Sequence, residues 1–355
     1  MTHTLTVRPM ETTDHAEVLR LLSEVMGGGP TGGRRQDFWD WKHRDNPFGR
    51  SLAYVATDAE RIIGVRMFLR WELGFAGTTA RAVRAVDTVT HPTYQRQGVF
   101  RRLNTALLSD ARADGVDLVF NTPNADSRPA NLSMGWRQAA VLRIHVTPGR
   151  PFRFLIGAAG ARKANASGAA TAVATVPVDT GSSAVSRLPE ASAILVDPSA
   201  RRDLERLVPG RSVTPHECGP HTEITMDYLR WRYSVPGLDY RAVTVSDGGR
   251  LTGVGLGRMR RRAGLNELTL GNVVVAPGDG RSAARVLRAA RRSGADHVTV
   301  HAPPRTELHS ACLVSGYLKV PGRGITLLGT PLTSLGTAVL DSPSWRLSLG
   351  DLEVF

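Results

Sequence analysis

The chain has 355 residues, which suggests two domains at roughly 150 residues each. Hydrophobic residues make up 41%, enough for a buried core, but no apolar run is long enough to span a bilayer. A secretory leader is not expected either, because the first residues lack a basic segment followed by an apolar one. Cys218 and Cys312 stand far apart with no second pair, which excludes a disulfide framework or zinc site and fits a reduced, cytoplasmic protein.

The formal charge is +13, and it rests almost wholly on arginine, since Lys42, Lys163 and Lys319 are the only lysines. Such a surface attracts phosphates, acidic substrates or RNA, although a compositional bias toward arginine would give the same number. The arginines are scattered, without the concentrated basic and aromatic stripe that RNA binding would favour, so no nucleic-acid partner is expected.

Taken in chain order, the elements repeat. VRPMETTDHAEVLRLL reads as a short strand and an amphipathic helix with Val18, Leu19, Leu21 and Leu22 near helical spacing. AILVDPSARRDLERLV, at 193–208, has the same plan. FWDWKHRDNP is matched by YLRWRYSVP: Pro9 precedes Trp41 by 32 residues, and Pro198 precedes Trp231 by 33. Two strands separated by an Asp/Gly-containing turn are expected around Asp58–Gly64 and again around Asp247–Gly253. AVDTVTHP (85–92) then pairs with NVVVAP (272–277), and SMGW (133–136) with VSGY (314–317). These co-linear matches predict two copies of one α/β domain with a mixed sheet, at 1–156 and 190–355. The Ala/Gly/Ser-rich stretch 157–189 is expected to be a linker.

The strongest chemical signal spans 85–124. A strand ends at His91-Pro92, a polar turn carries Gly98, a helix presents Leu103, Leu107, Leu108 and Ala111, and a second strand, VDLVF, follows. A strand, glycine turn and helix can seat a pyrophosphate. Glycine lets the backbone approach, the first helical N–H groups donate, and Arg96, Arg101 and Arg102 add charge-assisted contacts.

Here the sequence resembles the GNAT superfamily of acyl-CoA-dependent N-acyltransferases, whose motif is Arg/Gln-x-x-Gly-x-Gly/Ala. Gln95-Arg96-Gln97-Gly98-Val99-Phe100 fits its first four positions, with Phe100 in place of the final small residue. PNADSRPANLSMGW, from Pro123 to Trp136, resembles the family's later segment of strand end, short helix and Gly-Trp. The resemblance implies tandem GNAT-like domains, the second degenerate because GDGRSAARVL lacks the loop motif. It also implies acetyl-CoA or another acyl-CoA as co-substrate and no metal. Pantetheine would lie along Val89 and Thr90 and the pyrophosphate on the loop Gln95, Arg96, Gln97, Gly98, Val99, Phe100 and Arg101, with Asn124 near the thioester arm. Strands 85–91 and 117–121 would splay to form the slot.

Acyl transfer to a primary amine of a small molecule needs a neutral nucleophile, a donor for the carbonyl oxygen and a proton for the leaving thiolate. Asp87, on the face shared by Val89 and His91, is the candidate base. The position where many GNAT members carry a tyrosine falls on Asn131 here and on Cys312 in the second copy. Asn131 can hydrogen-bond without acting as an acid, which leaves Ser127 or Ser133 to assist. His91 is expected to cap the strand end, and Trp41 to be core because its partner recurs. The alternatives are a Fem-type aminoacyl-tRNA-dependent transferase and a non-catalytic acyl-CoA-binding protein. The acceptor, the acyl length and the oligomeric state are not legible.

Overall fold

The computed structural model describes residues 5–27, 35–125, 127–154, 188–208, 219–262 and 264–352. Most of the expected linker 157–189, together with Cys218 and Phe355, lies outside the described residues.

The first half opens with β1 (Leu5–Pro9), α1 (His15–Met26) and α2 (Gln36–His43). It continues through β2 (Leu52–Asp58), β3 (Arg61–Phe75), β4 (Thr78–Thr90) and α3 (Val99–Ala113), then β5 (Leu118–Asn121), α4 (Ser127–Ser133) and β6 (Arg137–Pro148). The second half begins with two helices, α5 (Ala191–Val196) and α6 (Pro198–Leu207), then β7 (His221–Thr222) and α7 (Met226–Tyr233). β8 (Tyr240–Asp247), β9 (Arg250–Arg262), β10 (Leu265–Val275), α8 (Gly280–Arg291) and β11 (His297–His301) come next. α9 (Glu307–Val314), β12 (Leu318–Pro331) and α10 (Ser334–Asp341) close the order. The hairpins expected at Asp58 and Asp247 fall at the β2–β3 and β8–β9 turns.

One expectation fails locally. AILVD was read as a strand, but Ala191–Val196 is a helix that buries Ala191 and Leu195. Asp197 then caps α6, accepting from the N–H groups of Ser199 and Ala200. Beside β8 the chain makes the Glu190–Arg241 bridge, a bond from the Ala242 N–H to the Pro189 carbonyl and one from Arg241 Nη1 to the Leu188 carbonyl. Apolar runs this short do not distinguish strand from helix by periodicity, and tertiary packing decided it.

The strands form one mixed sheet in the order β1-β2-β3-β4-β5-β12-β6-β11-β10-β9-β8, with β7 added to β3. β12 lies antiparallel between β5 and β6, and β6 pairs with β11. Each half's last strand thus sits beside the other half's run. Helices cover both faces, as a mixed sheet buried on two sides requires. The largest apolar cluster joins α1 and α2 to α5, α6 and α7 and to Trp345, Leu347, Leu349 and Leu352 near the C-terminus.

At its centre Trp41 and Trp231 stack with ring centroids 5.0 Å apart. Trp41 Nε1 donates to the Trp231 carbonyl at 2.6 Å, and Trp231 Nε1 donates to the Trp41 carbonyl at 2.7 Å. The recurring tryptophans are therefore core, and each satisfies the other's backbone.

Candidate acyl-CoA site

β4 pairs in parallel with β5 at only three positions, from Ala82–Leu118 to Arg84–Phe120. Beyond them β4 continues through 85–90 with no further pairing to β5. A bulge lies on the same stretch. Between the Val65–Val89 and Met67–Val86 pairs, β3 contributes Arg66 alone while β4 contributes Asp87 and Thr88. Asp87 takes a left-handed φ of 39°, which Asp tolerates better than most residues.

The bulge residue is gripped by α2. Lys42 Nζ lies 2.7 Å and His43 Nε2 3.0 Å from Asp87 Oδ2, and all three side chains are buried. His43 Nδ1 is 2.9 Å from the Ser51 hydroxyl. The neutral imidazole protonated at Nε2 satisfies both contacts, donating to Asp87 and accepting from Ser51. Val86, Asp87 and Val89 all meet the α2 side of the sheet, because the bulge interrupts the alternation on which the expectation rests.

The turn before α3 is exposed and braced by its own side chains. Tyr94 donates to Asp58 at 2.8 Å, Gln95 Nε2 to the Thr90 carbonyl at 3.3 Å, and Gln97 Nε2 to the Thr93 carbonyl at 2.9 Å. His91 caps the 3-10 turn Pro92–Tyr94, accepting from the Thr93 N–H. Arg96 (φ 63°) and Gly98 (φ 80°) are both left-handed, a backbone conformation that glycine takes without strain. Gly98 is the N-cap of α3 and no side chain caps it. The first intrahelical bond runs from the Arg102 N–H to the Gly98 carbonyl, so the amides before Arg102 can donate outward.

α3 presses close on the sheet at Gly64. A Cβ there would lie 2.9 Å from Val99 Cγ1 and 3.3 Å from Leu103 Cδ1. Gly64→Ala is therefore expected to push the start of α3 outward and cost about 1–3 kcal/mol, read from a denaturant midpoint. An unchanged midpoint would mean that Val99 can simply turn aside.

Residues 6–139 match the family described as the acetyltransferase (GNAT) domain, under half of the chain. No curated protein matches the sequence. Among solved structures, a GCN5-related N-acetyltransferase from Anabaena variabilis is 11% identical with a TM-score of 0.60, covering 94% of this chain and 74% of its own. A conserved protein of unknown function from Enterococcus faecalis, described as a probable N-acyltransferase, is 13% identical with a TM-score of 0.62, covering 93% and 73%. A GCN5-related N-acetyltransferase from Kribbella flavida is 14% identical with a TM-score of 0.52, covering 92% and 71%. At these identities the likeness is one of fold. The similarity to the acetyltransferase (GNAT) domain family falls on residues 6–139, the first half of the chain.

Within the matched stretch, Val89 is buried and so is Val99, the first residue of α3, while Gln95, Arg96, Gln97, Gly98 and Arg101 are exposed around the turn. Asn124 accepts from the Ser127 N–H and hydroxyl, both at 2.8 Å. Asn124 thus fixes the start of α4, with Ser127 as the donor. Asn131 is buried at the end of α4, its carbonyl accepting from the N–H groups of Met134 and Trp136. Its counterpart Cys312 accepts in the same way from Ser315 and Tyr317, and burial pushes the Cys312 thiol up to about 12.

Sequence reasoning missed Lys42, His43 and Arg66. Lys42 and His43 meet Asp87 across 44 to 45 residues of sequence, a pairing no local pattern carries. Arg66 did leave a signal, as a lone cation inside the apolar run IIGVRMFL. Among the described residues, no group of three or more His, Cys, Asp or Glu side chains could hold a metal, and no helix is long and apolar enough to cross a membrane.

Proposed function

We propose that the GNAT domain binds acetyl-CoA or a related acyl-CoA and passes the acyl group to a primary amine of a small molecule. The carrying observation is the uncapped start of α3, with Gly98 left-handed, set beside the point where β4 bulges and leaves β5. Such a turn offers several amide donors and a positive helix end to phosphates. Gln95 and Gln97 brace it, Gly98, Val99, Phe100 and Arg101 present backbone, and Arg96 and Arg101 lie at its exposed rim. Val89, Thr90 and Asn124 line the strand ends along which the thioester arm would run.

In this reading the amine nitrogen attacks the thioester carbonyl carbon, the carbon–sulfur bond breaks, and no covalent enzyme intermediate is needed. The amine's proton leaves toward Asp87 through water. Ser127 and Asn131 stand on the helix where the leaving thiolate would be met. The second half, 190–355, is read as a degenerate GNAT-like unit joined through 157–189. One contrast supports that reading: α8 begins where α3 would, yet Asp279 caps it by accepting from the Ser282 N–H at 2.9 Å. A carboxylate there takes the place a phosphate would need. The two distant cysteines leave a cytoplasmic setting as part of the same proposal.

Calorimetric titration with acetyl-CoA, longer acyl-CoAs and free CoA tests the site. Micromolar binding that weakens at least about hundredfold in Gly98→Glu is expected, because the new carboxylate repels phosphate and a side chain at this φ is strained by about 1–2 kcal/mol. Absence of binding to every one of these ligands would overturn the reading.

A further inference from the structure

Arg66 is a buried cation that no carboxylate among the described residues pairs with. It sits on β3 between Gly64 and Phe68, on the face covered by α3, and is 2% exposed. Its Nη1 donates to the Thr88 hydroxyl at 3.2 Å, in the β4 bulge. Nε and Nη2 are buried with no hydrogen-bond partner among the described residues. The guanidinium lies 4.6 Å from the ring centroid of Phe100, in the first turn of α3, and 5.5 Å from that of Phe68. Burial alone pushes it down to about 9, so it is still charged at neutral pH.

Desolvating a guanidinium costs several kcal/mol unless an anion or a full set of acceptors compensates. Two aromatic faces and one hydroxyl recover part of that. The other buried ion pairs in this chain solve the problem internally, as Lys42 does with Asp87. Arg66 does not, and it packs against Phe100 in the first, uncapped turn of α3. Phe100, which stands where the family motif has a small residue, is the side chain that stacks upon it.

We propose that Arg66 is the counter-charge of an anion held at the start of α3, and that the phosphates of acyl-CoA supply that anion. This rests on the acyl-CoA reading above and adds a ligand from β3 to a site otherwise built from backbone. Phe100 packs against the planar fork, whose Nε and Nη2 are left with donors for the anion to take up. The site therefore selects for the charged end of the co-substrate, and the uncharged pantetheine arm draws nothing from Arg66.

The experiment compares wild type, Arg66→Met and Arg66→Lys by calorimetry with CoA, pantetheine and inorganic pyrophosphate at two salt concentrations, and by thermal melting without ligand. Arg66→Met is expected to weaken CoA by about tenfold to hundredfold, to flatten its salt dependence and to leave pantetheine within about twofold. Arg66→Lys should recover part of the loss. Without ligand the methionine variant should melt no lower than wild type, because an uncompensated buried charge has been replaced by an apolar chain of similar length. Equal CoA affinity and salt dependence in wild type and Arg66→Met would overturn the inference while leaving the acyl-CoA reading intact. A lower melting point with CoA and pantetheine weakened alike would assign Arg66 to structure and overturn it as well. Pyrophosphate binding that depends on Arg66, with no binding of CoA, would keep the anion site and overturn the acyl-CoA reading. Binding of neither would overturn both.

Discussion

Replacing Lys42 by methionine is expected to lower the stability of the fold by about 3–5 kcal/mol, seen as a fall in the urea midpoint with the slope unchanged. The ammonium lies 2.7 Å from Asp87 Oδ2, and the side chains of both residues are almost fully buried. Methionine fills much of the same volume but leaves the carboxylate without its nearest cation. The effect should reach the backbone, because Asp87 holds a left-handed φ of 39° in the bulge, a conformation that persists only where its surroundings over-determine it. Lowering the pH should narrow the deficit, since protonating Asp87 removes the charge that Lys42 no longer balances.

Asp87→Asn separates charge from conformation, because Asn accepts a left-handed φ about as readily as Asp. Alone it is expected to destabilise by a similar amount, through the buried ammonium it leaves. Combined with Lys42→Met the loss should fall short of the sum of the two single losses by at least about 1 kcal/mol. Strict additivity would show that the pair does not hold the bulge. Turnover by Asp87→Asn equal to wild type across pH would remove Asp87 from the proton pathway and leave it the task of shaping β4.

These couplings also explain which parts were legible in the sequence. Hairpins at Asp58 and Asp247, the matched tryptophans and the glycine turn before α3 announce themselves because each depends on neighbours within a few residues. The turn at Gly98 needs a residue that takes φ of 80°, and the helix after it shows its apolar stripe directly. The exchange of β6 and β12 left no such trace. An alternating strand reads the same whichever neighbour it pairs with, and register across the centre is chosen by tertiary contacts. For the same reason 191–196 became a helix: its apolar residues pack into the shared cluster, and pairing with β8 stops at the bridge of Glu190. Lys42, His43 and Arg66 draw their chemistry from strands distant in sequence, so their residue types were visible but their partners were not.

Trp41→Ala is expected to cost about 3–5 kcal/mol, and its consequence is architectural as well as local. The ring is 6% exposed, stacks on Trp231 and supplies the donor to the Trp231 carbonyl at 2.6 Å. Truncation therefore opens a cavity and removes the shortest of the bonds to the Trp231 carbonyl, which then keeps only those from Ser234. Trp231→Ala does the same in reverse, removing the donor to the Trp41 carbonyl at 2.7 Å. Each single variant breaks the same stacked pair, so the double variant should lose less than the sum by about 0.5–3 kcal/mol. Both halves contribute to one apolar cluster and pair through β12–β5 and β6–β11. Unfolding of either single variant should accordingly remain one transition, with fluorescence and far-ultraviolet dichroism coincident. Two separated transitions in Trp41→Ala would mean that each half carries a core of its own, and that the tryptophan pair joins finished domains instead of building a shared interior.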